Sequence, residues 1–285
     1  MKKINSYIEL TRPFTAVFPF LSCFFVGIYS LLYFGDVSIF VVLLSSIALS
    51  LTQILGQITN QLSDPPELDF ENGKIRPIVR GEINKDEVII LSVVLLFLIL
   101  LLSSLVGFDF LSMIILLIIS ITLYNFEPFR LKKRFLLNNL ILAFSRGFLP
   151  FFIIFHMFLK KINLNELLLL SIGISMWVFI WQTTKDIPDV VGDKKFGIKT
   201  IPVVLGYKKT FYFMLFGSVI FFVYIYLVFG NLSLIYIPLI VVGLLCLNEK
   251  RKFAIFKENT IAWAIFYLGI LVYYVISILY LSKMF

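Results

Sequence analysis

The chain has 285 residues, of which 60% are hydrophobic and 15% charged, and its mean hydropathy is +0.99. No ordinary soluble domain is that apolar, and 15 glycines and 10 prolines are too few to make it a disordered chain. The formal net charge of +8 is split among short segments with no soluble module around them, which argues against a nucleic-acid surface.

Apolar runs near the length needed to cross a bilayer recur along the whole chain. The predicted fold is all-α: a polytopic membrane protein forming one membrane-embedded domain over 1–285. Nine spans are predicted, at 14–34, 38–60, 87–106, 109–127, 136–157, 165–184, 210–229, 232–248 and 260–281. The first carries no small-residue cleavage site and reads as retained. Lysines and arginines gather at the amino terminus and in alternate connections, including Arg130, Lys132, Lys133 and Arg134 after the fourth span and Lys250, Arg251, Lys252 and Lys257 after the eighth. Cytoplasmic loops are enriched in such residues, so the amino terminus is expected inside and the carboxyl terminus outside. Cys23 and Cys246 fall in spans without CxxC spacing and read as buried, inert thiols. His156 is the only histidine, which leaves no Ser-His-Asp triad and no histidine-based metal site.

The second predicted span runs inward and ends in "GQITNQLSDPPELDFENGKIRPIVRGEI". Asn60 and Asp64 are four apart and share a helix face. Pro65 and Pro66 stop or distort the helix there, and Glu67 and Asp69 follow. The sixth span also runs inward and ends in "TTKDIPDVVGDKKFGIKT". Asp186, Asp189 and Asp193 lie on one face if the helix continues, which Pro188 opposes. Both acidic clusters therefore reach the same side of the membrane.

Carboxylates at membrane depth are costly and usually functional. Oxygen-only donors without Cys or His suit a hard cation, Mg²⁺ or Ca²⁺. Lys74 and Arg76 follow the first cluster, and Lys185, Lys194 and Lys199 surround the second. Carboxylates interleaved with cations suggest a metal-bridged polyphosphate whose departure the metal assists. A plainer reading, of solvated loop acids paired with neighbouring lysines, is disfavoured because both clusters end inward-running spans and both have cations beside them. Arg146 lies within a span. It should face the bundle interior and pair there, either structurally or with a ligand.

These motifs resemble the UbiA superfamily of membrane prenyltransferases. "NQLSD" resembles the start of the family's Asn-x-x-x-Asp-x-x-x-Asp motif after the second helix, and "DVVGDKKFGIKTIPVVLG" its Asp-x-x-x-Asp and Gly-x-Lys-Thr segments after the sixth. "NGKIRPIVRGEI" and "LYNFEPFRLKKRFLLNNLILAFSRG" are similar to the loops between them, so the resemblance runs from Asn60 to Gly206. One departure stands out. Leu68 occupies the third metal position, and Asp69 falls one residue late, as if one proline had been inserted; the alternative third acid is Glu67.

The resemblance implies a multi-pass membrane enzyme. Two Mg²⁺ ions would be held by Asn60, Asp64, Asp69, Asp186, Asp189 and Asp193, with Asp64, Asp189 and Asp193 essential to catalysis. Lys74, Arg76, Arg130, Lys132 and Lys185 would bind the diphosphate of an allylic isoprenoid. The resulting allylic cation, flanked by aromatics such as Tyr124, Phe126, Trp177 or Trp181, would alkylate a hydrophobic or amphipathic acceptor within the membrane. Aromatic acceptors of the quinone-precursor kind are favoured here, with geranylgeranylglyceryl phosphate as the alternative suggested by "RPIVRGEI". An ion-coupled transporter or a non-enzymatic scaffold is the rival class, disfavoured because the acids sit at span ends and not at the midplane.

Overall fold

The computed structural model describes residues 2–247, 254–256 and 259–283. The chain forms two compact units, Met1–Leu131 with Ile153–Lys161, and Lys132–Phe152 with Ile162–Phe285.

In the first unit, α1 (Lys2–Thr11) leads into α2 (Pro13–Phe34), α3 (Ile39–Ser63), the short α4 (Pro66–Glu71), α5 (Lys85–Val106) and α6 (Phe108–Asn125). Helices suit this composition because a backbone in hydrocarbon must satisfy its own hydrogen bonds. The ends are closed by side chains. The Ser38 hydroxyl accepts from the Val41 amide at 3.3 Å. Asn84 and Glu87 form a reciprocal box at the start of α5, at 2.8 and 3.1 Å, which satisfies two donors that would otherwise be orphaned. α3 packs against α2, α5 and α6. Lipid offers little hydrophobic drive between helices, so close packing and interhelical hydrogen bonds do that work: Ser50 donates to the Ala16 carbonyl at 3.0 Å and Ser30 to that of Phe158 at 2.7 Å. α1 is tied down by polar contacts, with Lys3 paired to Glu87 and Ser6 donating to Glu82 at 2.7 Å.

The second unit contains α7 (Leu137–Leu142), a π-helical turn (Ala143–Phe148) and the first residues of α8 (Leu149–Phe158), followed by α9 (Leu164–Trp181), a 3₁₀ turn (Gln182–Lys185), α10 (Val190–Lys195), α11 (Ile201–Phe229), α12 (Tyr236–Cys246) and α13 (Ile261–Leu281). Trp177 and Trp181 are fully buried and stack at 4.8 Å. Their rings lie directly against Gly269 of α13 and Gly243 of α12, where any side chain would collide with them. The Trp177 indole also donates to the Phe266 carbonyl at 2.9 Å. This packing explains why both tryptophans are core residues and are not available to flank a substrate cation.

Eight stretches among the described residues are long and apolar enough to cross a membrane, one of them the 46-residue Ile201–Cys246. At about 1.5 Å per residue that stretch would be roughly 69 Å long, about twice a bilayer's hydrocarbon core. It is interrupted at Gly230, whose φ of 56° and ψ of −134° end α11, and α11 and α12 pack on each other. The all-α expectation holds except for a small antiparallel ribbon, β1 (Ala254–Phe256) with β2 (Asn259–Thr260), between α12 and α13. The basic residues Lys250, Arg251, Lys252 and Lys257 lie outside the described residues. Cys23 is buried as expected, but Cys246 is partly exposed.

Candidate active site

The first acidic cluster belongs wholly to the first unit. α3 ends at Ser63, and Asp64 is its C-cap in an extended conformation, with φ −89° and ψ 140°. Asn60 lies in the last helical turn, so the shared helix face expected of Asn60 and Asp64 is interrupted at the acid itself. Pro65 and Pro66 then start α4, Pro66 occupying the first helical position where its missing N–H costs nothing. The double proline thus ends one helix and opens the next. The new helix sends Glu67 outward and Asp69 inward: Glu67 is exposed and Asp69 buried.

The cluster is densely paired. Asn60 donates to Asn125 at 3.1 Å. Arg130 donates to the Ser63 carbonyl at 2.8 Å and to Asp64 at 3.3 Å. Arg76 Nη1 stands 2.8 Å from both carboxylate oxygens of Asp69. Burial pushes the Asp69 carboxyl above its ordinary range, against the opposing charges of Arg76 and Lys74. Lys74 is half-buried beside them, and its amide donates to the Asp69 carbonyl at 2.8 Å. Tyr124 is buried and Phe126 is partly exposed.

Arg12 was not singled out by sequence reasoning. It sits between α1 and α2 at φ 49°, donates to Gln57 at 3.3 Å, and its charge reaches Asp69. Arg130 also adopts a positive φ, 36°. Non-glycine residues pay about 1–3 kcal/mol for sparsely populated backbone conformations, and such residues cluster at functional sites. The readable signal for Arg12 was an Arg-Pro pair at the mouth of the first span. Arg80 binds Glu9 and Glu82 at 2.8 Å each. Those bonds raise its pKa further, and the contact fixes the loop to α1.

The second cluster belongs wholly to the second unit. α9 runs into the 3₁₀ turn Gln182–Lys185, and the helix is broken at Pro188 before α10 begins. The three aspartates therefore do not share one continuous helix face. Asp186 and Asp193 are buried, and Asp189 caps α10 half-buried. Asn138 donates to Asp186 at 2.8 Å, and Lys185 lies 3.3 Å from it. Burial raises the Asp186 pKa above the ordinary carboxylate value; Lys185 works against this and Asp189 adds to it. Thr200 donates to Asp193 at 3.4 Å, which closes the "GDKKFGIKT" loop on itself. Lys132 is buried within a 3₁₀ turn of the same unit.

Arg146 finds the partner expected of an intramembrane arginine: it donates to Gln182 at 3.2 Å. The π turn that carries it adds a residue to the helical ladder, a distortion frequent at functional sites. Asn139 donates to the Phe179 carbonyl at 2.7 Å and to Thr183 at 2.9 Å. The amides Asn125, Asn138, Asn139 and Gln182 were missed by a reading that tracked charge; their signal was polar side chains inside otherwise apolar runs. His156 is exposed.

No group of three Asp, Glu, His or Cys side chains among the described residues is preassembled to hold a metal. The donors of both clusters are carboxylate and amide oxygens, a set suited to a hard cation such as Mg²⁺, which takes one or two carboxylates and completes its shell with water and substrate phosphates.

The fold and these clusters define an integral, multi-pass α-helical membrane enzyme. The sequence profile of the UbiA prenyltransferase family matches residues 16–272, and the chain belongs to that family and is a prenyltransferase. Digeranylgeranylglyceryl phosphate synthase of Methanosphaera stadtmanae is 27% identical over 206 residues, covering 72% of this chain and 71% of that protein. A probable homogentisate phytyltransferase 2 of Oryza sativa is 31% identical, but over 93 residues only, 31% of this chain and 24% of that protein. A UbiA homologue from Archaeoglobus fulgidus, solved with GPP and Mg²⁺, superposes with a TM-score of 0.71 at 19% identity, over 97% of this chain and 99% of that one.

Proposed function

We propose that this enzyme transfers a polyprenyl group from an allylic prenyl diphosphate to the free hydroxyl of an isoprenoid glycerol-phosphate lipid, with Mg²⁺ as cofactor. The observation that carries the acceptor is the breadth of similarity. Digeranylgeranylglyceryl phosphate synthases match along 71% of their own length, whereas homogentisate-type relatives match along 24%. The quinone-type acceptor favoured by local motifs alone therefore gives way to the glycerol-phosphate lipid. The short acidic segments resemble both groups, while the long match resembles one.

Each acidic cluster is read as a magnesium–diphosphate anchor: Asn60, Asp64 and Asp69 in the first unit, Asp186, Asp189 and Asp193 in the second. Bound Mg²⁺, two ions on this reading, neutralises the leaving diphosphate. The structures of the Archaeoglobus fulgidus homologue with Mg²⁺ and GPP or DMAPP support that cofactor. Lys74, Arg76, Arg130, Lys132 and Lys185 add positive charge for the phosphates. In this mechanism the C1–O bond of the donor breaks, its electron pair leaves with diphosphate, and the acceptor oxygen bonds to C1 as its proton is lost. The apolar surroundings keep water from the allylic cation. The 46-residue stretch is read as two spans turning at Gly230, which gives nine, with the whole chain acting as one catalytic domain. The amino terminus and both clusters are read as cytoplasmic and the carboxyl terminus as external, from the distribution of basic residues.

The test is a competition: purified protein, Mg²⁺ and labelled geranylgeranyl diphosphate offered geranylgeranylglyceryl phosphate, homogentisate and 4-hydroxybenzoate together. Label should pass to the glycerol-phosphate lipid. Passage to either aromatic acid in preference would overturn the acceptor assignment.

A further inference from the structure

We infer that the groove between α11 and α12 is a binding site for a membrane glycerophospholipid with an anionic head group. The open groove has a volume of about 510 Å³ and is lined by Tyr207, Lys208, Phe211 and Tyr212 of α11 and by Val241, Leu244 and Leu245 of α12. Its walls belong to Ile201–Cys246, a stretch long and apolar enough to cross a membrane.

Three observations choose the head group. Among the described residues, Lys208 is the one charged residue of the lining. The adjacent Lys209 is exposed like Lys208, and Lys208 forms no hydrogen bond or ion pair among the described residues. The two lysines stand just after Gly206, where the backbone departs from helix at φ 74° and ψ 167°. A lysine at such a helix end extends its ammonium to the polar interface while its stem lies along apolar surface. The remaining groups form the acyl-chain wall and its rim. The Tyr207 hydroxyl donates to the Leu247 carbonyl and ties the end of α12 to α11. Tyr212 and Phe216 stack at 6.3 Å along the exposed side, and Val241 and Leu245 are half-exposed or more. An aromatic rim beside paired lysines over an aliphatic floor matches an anionic phospholipid, with the phosphate at Lys208 and one chain along Leu244 and Phe211.

None of the lining residues is one of the acidic-cluster residues, and the test does not depend on catalysis. The purified full-length protein would be examined by native mass spectrometry with dioleoyl phosphatidylglycerol or dioleoyl phosphatidylcholine added at equal concentration. One phosphatidylglycerol should be retained preferentially. Lys208→Gln should weaken its retention about fivefold, the electrostatic contribution of one lysine near a lipid surface, and Lys208→Arg should preserve it. Leu245→Trp, which fills the groove without touching the charge, should also reduce retention. Equal retention of the two lipids, or no effect of Lys208→Gln in a folded variant, would overturn the proposal. So would one-for-one displacement of phosphatidylglycerol by geranylgeranyl diphosphate, which would assign the groove to the substrate path.

Discussion

Arg76 and Asp69 form a buried pair in which one guanidinium nitrogen is 2.8 Å from both carboxylate oxygens. Seven residues apart in sequence, they close the loop that follows the double proline. Asp69 therefore orients Arg76 as well as offering its own charge. Removing one partner of such a pair costs about 3–5 kcal/mol, because the other is left buried and uncompensated. Asp69→Ala should lower stability by an amount of that order and raise the Mg²⁺ concentration needed for half-maximal rate. Glu67→Ala, at an exposed position, should shift stability by less than about 0.5 kcal/mol and leave the Mg²⁺ requirement unchanged. Chemical denaturation and a magnesium titration of both variants decide this, and the reverse ranking would assign the third acid to Glu67.

Asp64 and Asp189 are half-buried residues at helix boundaries, with little packing role. Asp64→Asn and Asp189→Asn keep shape and remove charge. Loss of one preorganised electrostatic contact is worth about 10²–10³ in rate, and each variant should fall by at least that much while its melting temperature stays near that of the parent. Two folded variants turning over at the parent rate would show that neither carboxylate serves the diphosphate.

The sequence made the helical class, the order of the acidic motifs and most of the charges of the candidate site legible, because those rest on composition and short spacing. What it could not give was local geometry. Pro65-Pro66 and Pro188 were readable as breakers, but only the backbone shows that the first pair starts a new helix and turns Asp69 inward. Trp177 and Trp181 looked like partners for a cation. Their burial depends on Gly243 and Gly269, which lie 62 and 88 residues beyond Trp181, and pairings at that separation leave no local pattern. Gln182 and Asn139 were hidden for a similar reason: an uncharged amide in an apolar run carries no signal until its partner is known.

Gly269 gives a packing test. Gly269→Ala puts a methyl group into the Trp177 ring, and overpacking of this kind costs about 1–3 kcal/mol. The thermal midpoint should fall and the tryptophan emission should change. An unchanged midpoint would mean that the ring is not held against α13.

Gln182 accepts from Arg146 inside the membrane-crossing stretch. Gln182→Leu leaves that guanidinium short of an acceptor, at about 1.5–3 kcal/mol for a hydrogen bond to a charged group, whereas Gln182→Glu retains one. Stability should follow that order in a detergent melting series. Equal stability of the Leu and Glu variants would remove the pairing.

Chelation should stop transfer, and Mg²⁺ or Mn²⁺ should restore it, because the available ligands are oxygen donors. The most direct test of the chemistry adds a label to that experiment. Geranylgeranyl diphosphate carrying ¹⁸O at its C1–O bridge is supplied with geranylgeranylglyceryl phosphate and Mg²⁺, and the two products are weighed by mass spectrometry. All of the ¹⁸O should appear in released diphosphate and none in the new ether, with no reaction after chelation. Heavy oxygen retained on the prenyl group, or undiminished turnover without metal, would contradict magnesium-assisted departure of diphosphate and alkylation of the acceptor oxygen.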